Sequence, residues 1–196
     1  MTDLEQLRDA LRARGYRADC FVTAGDAAAE LDRRVDGVTV AFGGSMTVEQ
    51  MGLYERLAAH NKAIWHWRGD TPADAAGADV YVCSVNAAAM TGELVNIDGN
   101  ANRLSGSLYG HGRVIFVVGK NKLAPDLDGA IRRARNVAAP LNARRLKRKT
   151  PCAMGDEVRC FDCNSPERIC KAMTVLWRAP GGAQYEVLLV DEALGY

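Results

Sequence analysis

Residues 38–42 read VTVAF, an unbroken run of β-branched and apolar side chains that ends in Gly43-Gly44-Ser45. A strand with one wet face alternates polar and apolar residues, whereas a continuous run suits a strand buried on both faces. Such strands occur where helices cover both sides of a parallel sheet, so this run points the chain toward an α/β architecture. The remaining pattern agrees. Leu4, Leu7, Ala10 and Leu11 recur at helical spacing with Gly15 as a stop, residues 20–23 suit a strand, and Asp26 opens a helix through Ala27, Leu31 and Val35. Residues 47–59 predict a helix, as do residues 125–138, where a proline and acids occupy the first turn. Residues 64–67, 80–85, 114–118 and 186–190 predict further strands. The expected fold is α/β, an open and mostly parallel sheet flanked by helices, with a small Cys-rich extension near the C-terminus.

With 196 residues the chain suffices for one well-buried domain and a small appendage. Its 48% hydrophobic and 25% charged residues are ordinary for a soluble protein. A net charge of +1 argues against nucleic acid as a partner. No apolar run approaches the roughly 20 residues that a membrane helix requires. The opening residues, MTDLEQLRDALRARGY, form a charged amphipathic helix rather than a signal peptide, so a cytoplasmic location is expected. In that reducing compartment, clustered cysteines are metal ligands more often than disulfides.

Three segments carry polar chemistry. Gly43-Gly44-Ser45-Met46-Thr47 lies between a buried strand and a helix start, where backbone amides can face an anion and Ser45 and Thr47 add hydroxyls. It lacks both the dinucleotide fingerprint and the P-loop lysine, and a plain tight turn with Thr47 as helix cap explains it equally well. Residues 84–103, SVNAAAMTGELVNIDGNANR, bring Asn86, Thr91, Glu93, Asn96, Asp98, Asn102 and Arg103 close in sequence. Asp98-Gly99-Asn100 reads as the polar tip of a β-hairpin. Glu93, Asn96 and Arg103 fit that reading less well, because charges bordering an apolar strand need partners. A buried Glu93 with such neighbours would be an acid/base or carboxylate-binding candidate. Finally, VIFVVGKNKL sets Lys120 and Lys122 at the C-terminal end of a strand, the edge where open α/β sheets bind ligands. Either lysine can pair with an anion or with Asp98, or be an ordinary surface lysine.

Cys152, Cys160, Cys163 and Cys170 follow the pattern C-x7-C-x2-C-x6-C. Four thiolates can close the shell of a zinc ion or an iron–sulfur cluster. The C-x2-C pair is half of a zinc ribbon without its second half, and it departs from the bacterial ferredoxin run. Arg144, Arg145, Lys147, Arg148, Lys149, Arg159 and Arg168 surround the set in sequence and would offset the negative charge of a four-thiolate site. A solvated basic linker and free thiols are the alternatives. Cys20 and Cys83 sit in apolar contexts and read as core residues. His60, His66 and His111 are scattered.

The set GGSMT, GELVNIDGNANR, VVGKNKL, AAPLNARRL and the PC…C-x2-C…RIC tail resembles the LUD-domain (lactate-utilisation domain) family over nearly the whole chain. The resemblance implies a fold similar to ribose-5-phosphate isomerase and CoA transferases, with ligands at the strand ends. Gly44, Ser45 and Thr47 look like the phosphate loop of the sugar-phosphate isomerases, Asp98 and Gly99 like their Asp-Gly-Ala stretch, and Lys122 like their later lysine. GGSMT departs from that loop, and the acidic residue expected after Asp-Gly-Ala is missing. The candidate catalytic residues are thus Glu93, Asp98 and Lys122. The candidate anion- or substrate-binding residues are Gly43, Gly44, Ser45, Thr47, Asn86, Asn96, Asn102 and Arg103. Cys152, Cys160, Cys163 and Cys170 are the candidate ligands of an iron–sulfur cluster or, as second choice, zinc. Residues 1–150 would form the LUD-type α/β domain, 151–175 the Cys-rich metal-binding loop, and 176–196 a C-terminal strand completing the same domain. The implied role is a metal- or iron–sulfur-containing component of small organic acid (lactate-type) oxidation, working on a small anionic metabolite with iron–sulfur redox partner subunits. The alternative is a stand-alone enzyme for a phosphorylated or CoA-linked metabolite, its metal purely structural.

Overall fold

A computed structural model describes all 196 residues. In chain order the strands are β1 (Arg17–Phe21), β2 (Thr39–Phe42), β3 (Lys62–Ile64), β4 (Val80–Cys83), β5 (Ala87–Ala89), β6 (Leu94–Asp98), β7 (Arg113–Gly119), β8 (Leu123–Ala124), β9 (Ala172–Leu176) and β10 (Gln184–Val190). The helices are α1 (Asp3–Ala13), α2 (Ala24–Arg34), α3 (Met46–Gln50), α4 (Leu53–Ala58), α5 (Asn102–Leu108), α6 (Leu127–Arg133), α7 (Ala139–Arg145) and α8 (Pro151–Met154). Six strands form one sheet in the order β1-β10-β7-β4-β2-β3, parallel throughout. The C-terminal strand β10 therefore lies inside the sheet, between β1 and β7.

The buried strands explain the continuous apolar runs. On β7, Val114, Phe116 and Val118 join the core on one face while Ile115 and Val117 join the core on the other. Leu7 and Leu11 of α1 cover the first face; Leu31 of α2 and Leu53 and Leu57 of α4 cover the second. Helix α1 starts at a reciprocal capping box in which Thr2 N donates to Glu5 Oε2 at 2.7 Å and Glu5 N to Thr2 Oγ1 at 3.2 Å. No helix is long and apolar enough to cross a membrane.

Several local expectations are corrected. The helix expected over residues 47–59 divides at Gly52, whose φ of 59° suits glycine, into α3 and α4. Ser45, not Thr47, caps α3 by accepting from Val48 N at 3.3 Å. The strand expected over 64–67 ends at Ile64, and a 3₁₀ turn, His66–Arg68, follows Trp65. The helix expected over 125–138 begins at Leu127, is capped by Asp126, and runs through a π-helical turn, Ala134–Ala138, into α7. Pro140 accounts for that turn: it offers no N–H and its ring crowds the preceding carbonyls, which one extra residue per turn relieves.

A second, four-stranded sheet in the order β8-β5-β6-β9 lies beside the first and was not foreseen. Its strand β6 shows in the alternation of residues 93–98, whereas β5 and β8, of three and two residues and largely alanine, carry almost no propensity signal. Their side chains pack on Ala130 and Ala134. The turn between β5 and β6 falls before Glu93, so Asp98-Gly99-Asn100 is not a hairpin tip. It leads from β6 into α5 instead.

Candidate functional site

A cleft of about 350 Å³ opens where the parallel strands of the main sheet end and the second sheet begins. This is the edge at which open α/β sheets bind ligands. Its floor is built from three strand ends. After β2 the chain turns through Gly43 and Gly44; a Cβ on Gly43 would stand 2.8 Å from the Tyr81 hydroxyl and 2.9 Å from Cys83 Cβ, so only glycine fits. After β4 come Ser84, Val85 and Asn86, all lining the cleft. After β7 a 3₁₀ turn, Lys120–Lys122, directs Lys122 inward, where it is only 3% exposed.

Lys122 Nζ lies 2.8 Å from Thr47 Oγ1, 2.8 Å from Ser84 Oγ and 3.1 Å from Val85 O. Burial, with Arg103 and Arg133 adding to it, pushes its pKa well below the usual lysine range. Asn86 Oδ1 accepts from Ile97 N at 2.7 Å and from Arg103 Nη2 at 3.1 Å. Asp98 accepts from the backbone N–H of Arg103 at 3.0 Å and of Asn100 at 3.2 Å. His66 lines the cleft with its pKa lowered by burial, against a smaller opposing influence of Asp98. Beside it Trp67 stacks on Trp65 and carries the Arg145 guanidinium 5.1 Å from its ring centre.

Basic groups dominate the lining. Arg103, Lys122, Arg145, Arg148, Arg168 and Lys171 face only two carboxylate side chains, Asp98 and Glu167. Glu167 is already occupied, accepting from Lys149 N at 2.8 Å. Arg145, Arg148 and Lys171 take part in none of the ion pairs of the molecule.

A family model, the LUD domain, matches residues 4–190. The chain belongs to the LUD-domain family. In fold this LUD domain is similar to the crystal structure of a DUF162 family protein from Deinococcus radiodurans, with a TM-score of 0.59 and 14% identity over 96% of each chain. No curated protein matches it.

Within this LUD domain the anticipated residues separate. Gly44, Ser45, Asn86, Asp98, Asn102, Arg103 and Lys122 line the cleft together. Thr47 and Gly43 lie just beneath, Thr47 through its bond to Lys122. Glu93 stands elsewhere: Arg14 Nη2 donates to its Oε1 at 2.6 Å and Thr91 Oγ1 donates to its Oε2, tying α1 to the β5–β6 turn. Asn96 is buried, with its Oδ1 accepting from Asn86 N at 3.0 Å, and has no face on the cleft. Lys120 pairs with Asp191 at the surface. His111 is buried against Tyr81. Sequence reasoning missed Ser84, His66, Trp67 and Lys171. Ser84 falls inside the strand expected over residues 80–85, which ends instead at Cys83; for the others there was no signal, since chain folding alone brings them in.

The four C-terminal cysteines line one small cavity of about 20 Å³, with Thr150, Phe161 and Arg168. All are free thiols of intermediate burial. Asp162 N donates to Cys160 Sγ at 3.3 Å, and Arg135 Nη2 approaches the same sulfur at 3.7 Å. No three Cys, His, Asp or Glu side chains stand at a separation that would hold a metal ion. The loop overhangs the main cleft. Lys171 N donates to Asp98 O at 3.0 Å, and Gly99, lacking Cβ, lets the Ile169 backbone lie directly on it. Arg168 and Ile169 line both cavities. Arg168 is fixed by donating to Cys163 O at 2.7 Å and Cys170 O at 2.8 Å.

Proposed function

We propose that this LUD domain binds a small organic anion in the cleft, with Lys122 as its proton-transferring group, as a component of small organic acid oxidation of the lactate type. The supporting observation is the convergence of six basic side chains on one cleft whose two carboxylates are already hydrogen-bonded by backbone amides. A cavity of about 350 Å³ is within the range of small-metabolite sites, roughly 300–1,000 Å³. Arg103 would orient the anion, and Lys122, its pKa depressed by burial, would be the base. Asp98 would keep Arg103 in place through the backbone of α5.

Cys152, Cys160, Cys163 and Cys170 would hold an iron–sulfur cluster or, second, zinc. The donor set fits: four free thiols around one cavity form a soft-ligand group. Holding an ion requires the thiols to close further around that cavity than they now do. A cluster would supply one-electron transfer toward redox partner subunits; zinc would supply a structural clip.

Calorimetric titration with lactate, pyruvate and inorganic phosphate tests the cleft. Binding that is lost in Arg103→Met is expected, and absence of binding by all three sinks the reading. Anaerobic purification with a visible spectrum and iron and zinc analysis tests the cysteines; a colourless, zinc-loaded protein removes the cluster. The stand-alone enzyme for a phosphorylated or CoA-linked substrate is the second reading. Its specific support is the unpaired Arg145, Arg148 and Lys171 at the mouth, more positive charge than a monocarboxylate needs. Phosphate outcompeting lactate would favour it.

A further inference from the structure

Lys122 Nζ donates to three buried oxygens, Thr47 Oγ1, Ser84 Oγ and Val85 O. Val85 O can only accept, at 3.1 Å. Thr47 Oγ1 donates its proton to Leu194 O at 3.1 Å, so toward Lys122, at 2.8 Å, it also accepts. Those two acceptors take both N–H bonds of a neutral amine. The third position around Nζ faces Ser84 Oγ at 2.8 Å. The Ser84 hydroxyl itself donates only a long bond, to Val85 O at 3.4 Å, which holds its proton weakly. In the neutral amine one of these three contacts falls to the lone pair, and the 2.8 Å contact with Ser84 Oγ is then short enough to carry the hydroxyl proton to Lys122. Both side chains are almost fully buried, at 1% and 3% exposed, yet both line the cleft. Burial disfavours the charged ammonium and so supports the neutral arrangement.

We infer that Ser84 is a nucleophile activated by Lys122, and that the cleft accepts an ester or thioester of an anionic acid, forming an acyl-Ser84 intermediate. A hydroxyl within hydrogen-bond reach of a base is the geometry that covalent acyl transfer needs, and a lysine base is one of its known variants. Ser84 Oγ attacks the carbonyl carbon as its proton passes to Lys122. The carbon–oxygen or carbon–sulfur bond to the leaving group then breaks, and Lys122 returns the proton to that leaving alkoxide or thiolate. Water, or an acceptor hydroxyl or thiol, attacks the acyl carbon in the second half and gives its proton to Lys122; the bond from the acyl carbon to Ser84 Oγ then breaks, and Lys122 passes that proton to Oγ. Asn86 is placed to steady the carbonyl oxygen: its Oδ1 is engaged by Ile97 N and Arg103, which leaves Nδ2 to donate into the cleft. The inference rests on the anion-cleft reading and adds to it a nucleophile and a substrate class.

The test incubates the full-length protein with mono(4-nitrophenyl) succinate, an anionic activated ester, and with neutral 4-nitrophenyl acetate. Intact mass, peptide mapping and nitrophenolate release are measured. One acyl group on the Ser84 peptide is expected, faster from the succinate. Ser84→Ala should abolish it, Ser84→Cys should move the acyl group to sulfur, and Lys122→Met should slow acylation by about 100-fold or more. Because the adduct is mapped on the wild-type protein, a poorly folding variant cannot obscure the outcome. No adduct, or an adduct elsewhere, overturns the inference. Calorimetry with phosphate and lactate on the same sample separates the failures: binding without acylation removes the nucleophile and leaves the anion cleft, whereas loss of both removes the two together.

Discussion

The floor of the cleft and the cysteine loop above it are held in different ways. At the floor, Gly43, Ser84 and Lys122 follow the ends of buried parallel strands and Thr47 lies in the first turn of α3, and the polar atoms of Lys122 and Thr47 bond to fixed partners. The loop from residue 155 to residue 171 contains no helix or strand. A few side chains fasten it to the rest, Arg144 to Gly155 O and Asn136 to Cys160 N, while Arg168 grips two carbonyls of the loop itself. A site that must hold reacting groups to fractions of an ångström belongs on the first kind of framework, and a segment that must close on a ligand belongs on the second.

The sharpest way to break this comparison is to crowd the floor. In Gly43→Ala the new methyl would meet the Tyr81 hydroxyl at 2.8 Å, Cys83 Cβ at 2.9 Å and Arg103 Cγ at 3.0 Å. Overpacking of this kind costs about 1–3 kcal/mol and sometimes more. Gly182→Ala, where nothing lies within 4 Å of the added atom, is the matched control. Urea unfolding should show a clear loss for Gly43→Ala and almost none for Gly182→Ala. Equal midpoints would mean that the floor is not rigid.

Next in size is the Arg14–Glu93 pair, 2.6 Å apart, with the glutamate side chain 10% exposed. Glu93→Gln leaves Arg14 short of a charge and should cost on the order of 1–3 kcal/mol. It should leave anion affinity in the cleft unchanged, because Glu93 lies outside it. A variant of normal stability that no longer bound the anion would restore Glu93 to the site and contradict its place in the fold.

Glu93 also marks the limit of what the residues could reveal. Its polarity beside an apolar strand was legible, but not its partner: Arg14 is 79 positions away in sequence. The main sheet was readable because two-sided burial leaves continuous apolar runs such as VTVAF and VIFVV. Of the second sheet only β6 was, through the alternation of residues 93–98, because strands of two or three residues rich in alanine, such as β5 and β8, have no period to detect. Lys122 was legible as a lysine after a strand. Its pairing with Ser84 was not, since a serine inside the expected strand 80–85 shows no partner until two strand ends meet. The cysteines were recognisable from spacing alone, and spacing says nothing of the arginine that spans from their cavity to the cleft.

A third effect, smaller at neutral pH, concerns the charge state of Lys122. Its folded pKa lies below the ordinary value of 10.5 because burial disfavours the ammonium, with Arg103 and Arg133 acting in the same direction. Between the depressed value and 10.5 the unfolded chain binds one proton more than the folded chain at this position, so stability should rise with pH across that window. The difference in unfolding free energy between wild type and Lys122→Met, followed from pH 7 upward to about 10, isolates this group. A difference that stays flat or falls would show Lys122 protonated in the fold, and its lone pair would then be unavailable to Ser84.

The smallest global effect, and the most informative about the loop, is expected from Arg168→Ala. Its bonds are to two backbone carbonyls near the surface, so overall stability should change by about 1 kcal/mol or less. Locally the loss is larger in kind, since the guanidinium joins Cys163 O to Cys170 O and borders both cavities. Limited proteolysis should therefore cut between residues 155 and 167 faster in Arg168→Ala while the midpoint of global unfolding hardly moves. Anion affinity should fall in the same variant, because one cation and the alignment of the overhanging wall are lost together, and Arg168→Lys should restore the charge without the fork that grips the two carbonyls. If Arg168→Lys recovered affinity but not protease resistance, the arginine would be serving the cleft by charge alone. If both stayed low, the grip on the cysteine carbonyls would be what keeps the wall in place.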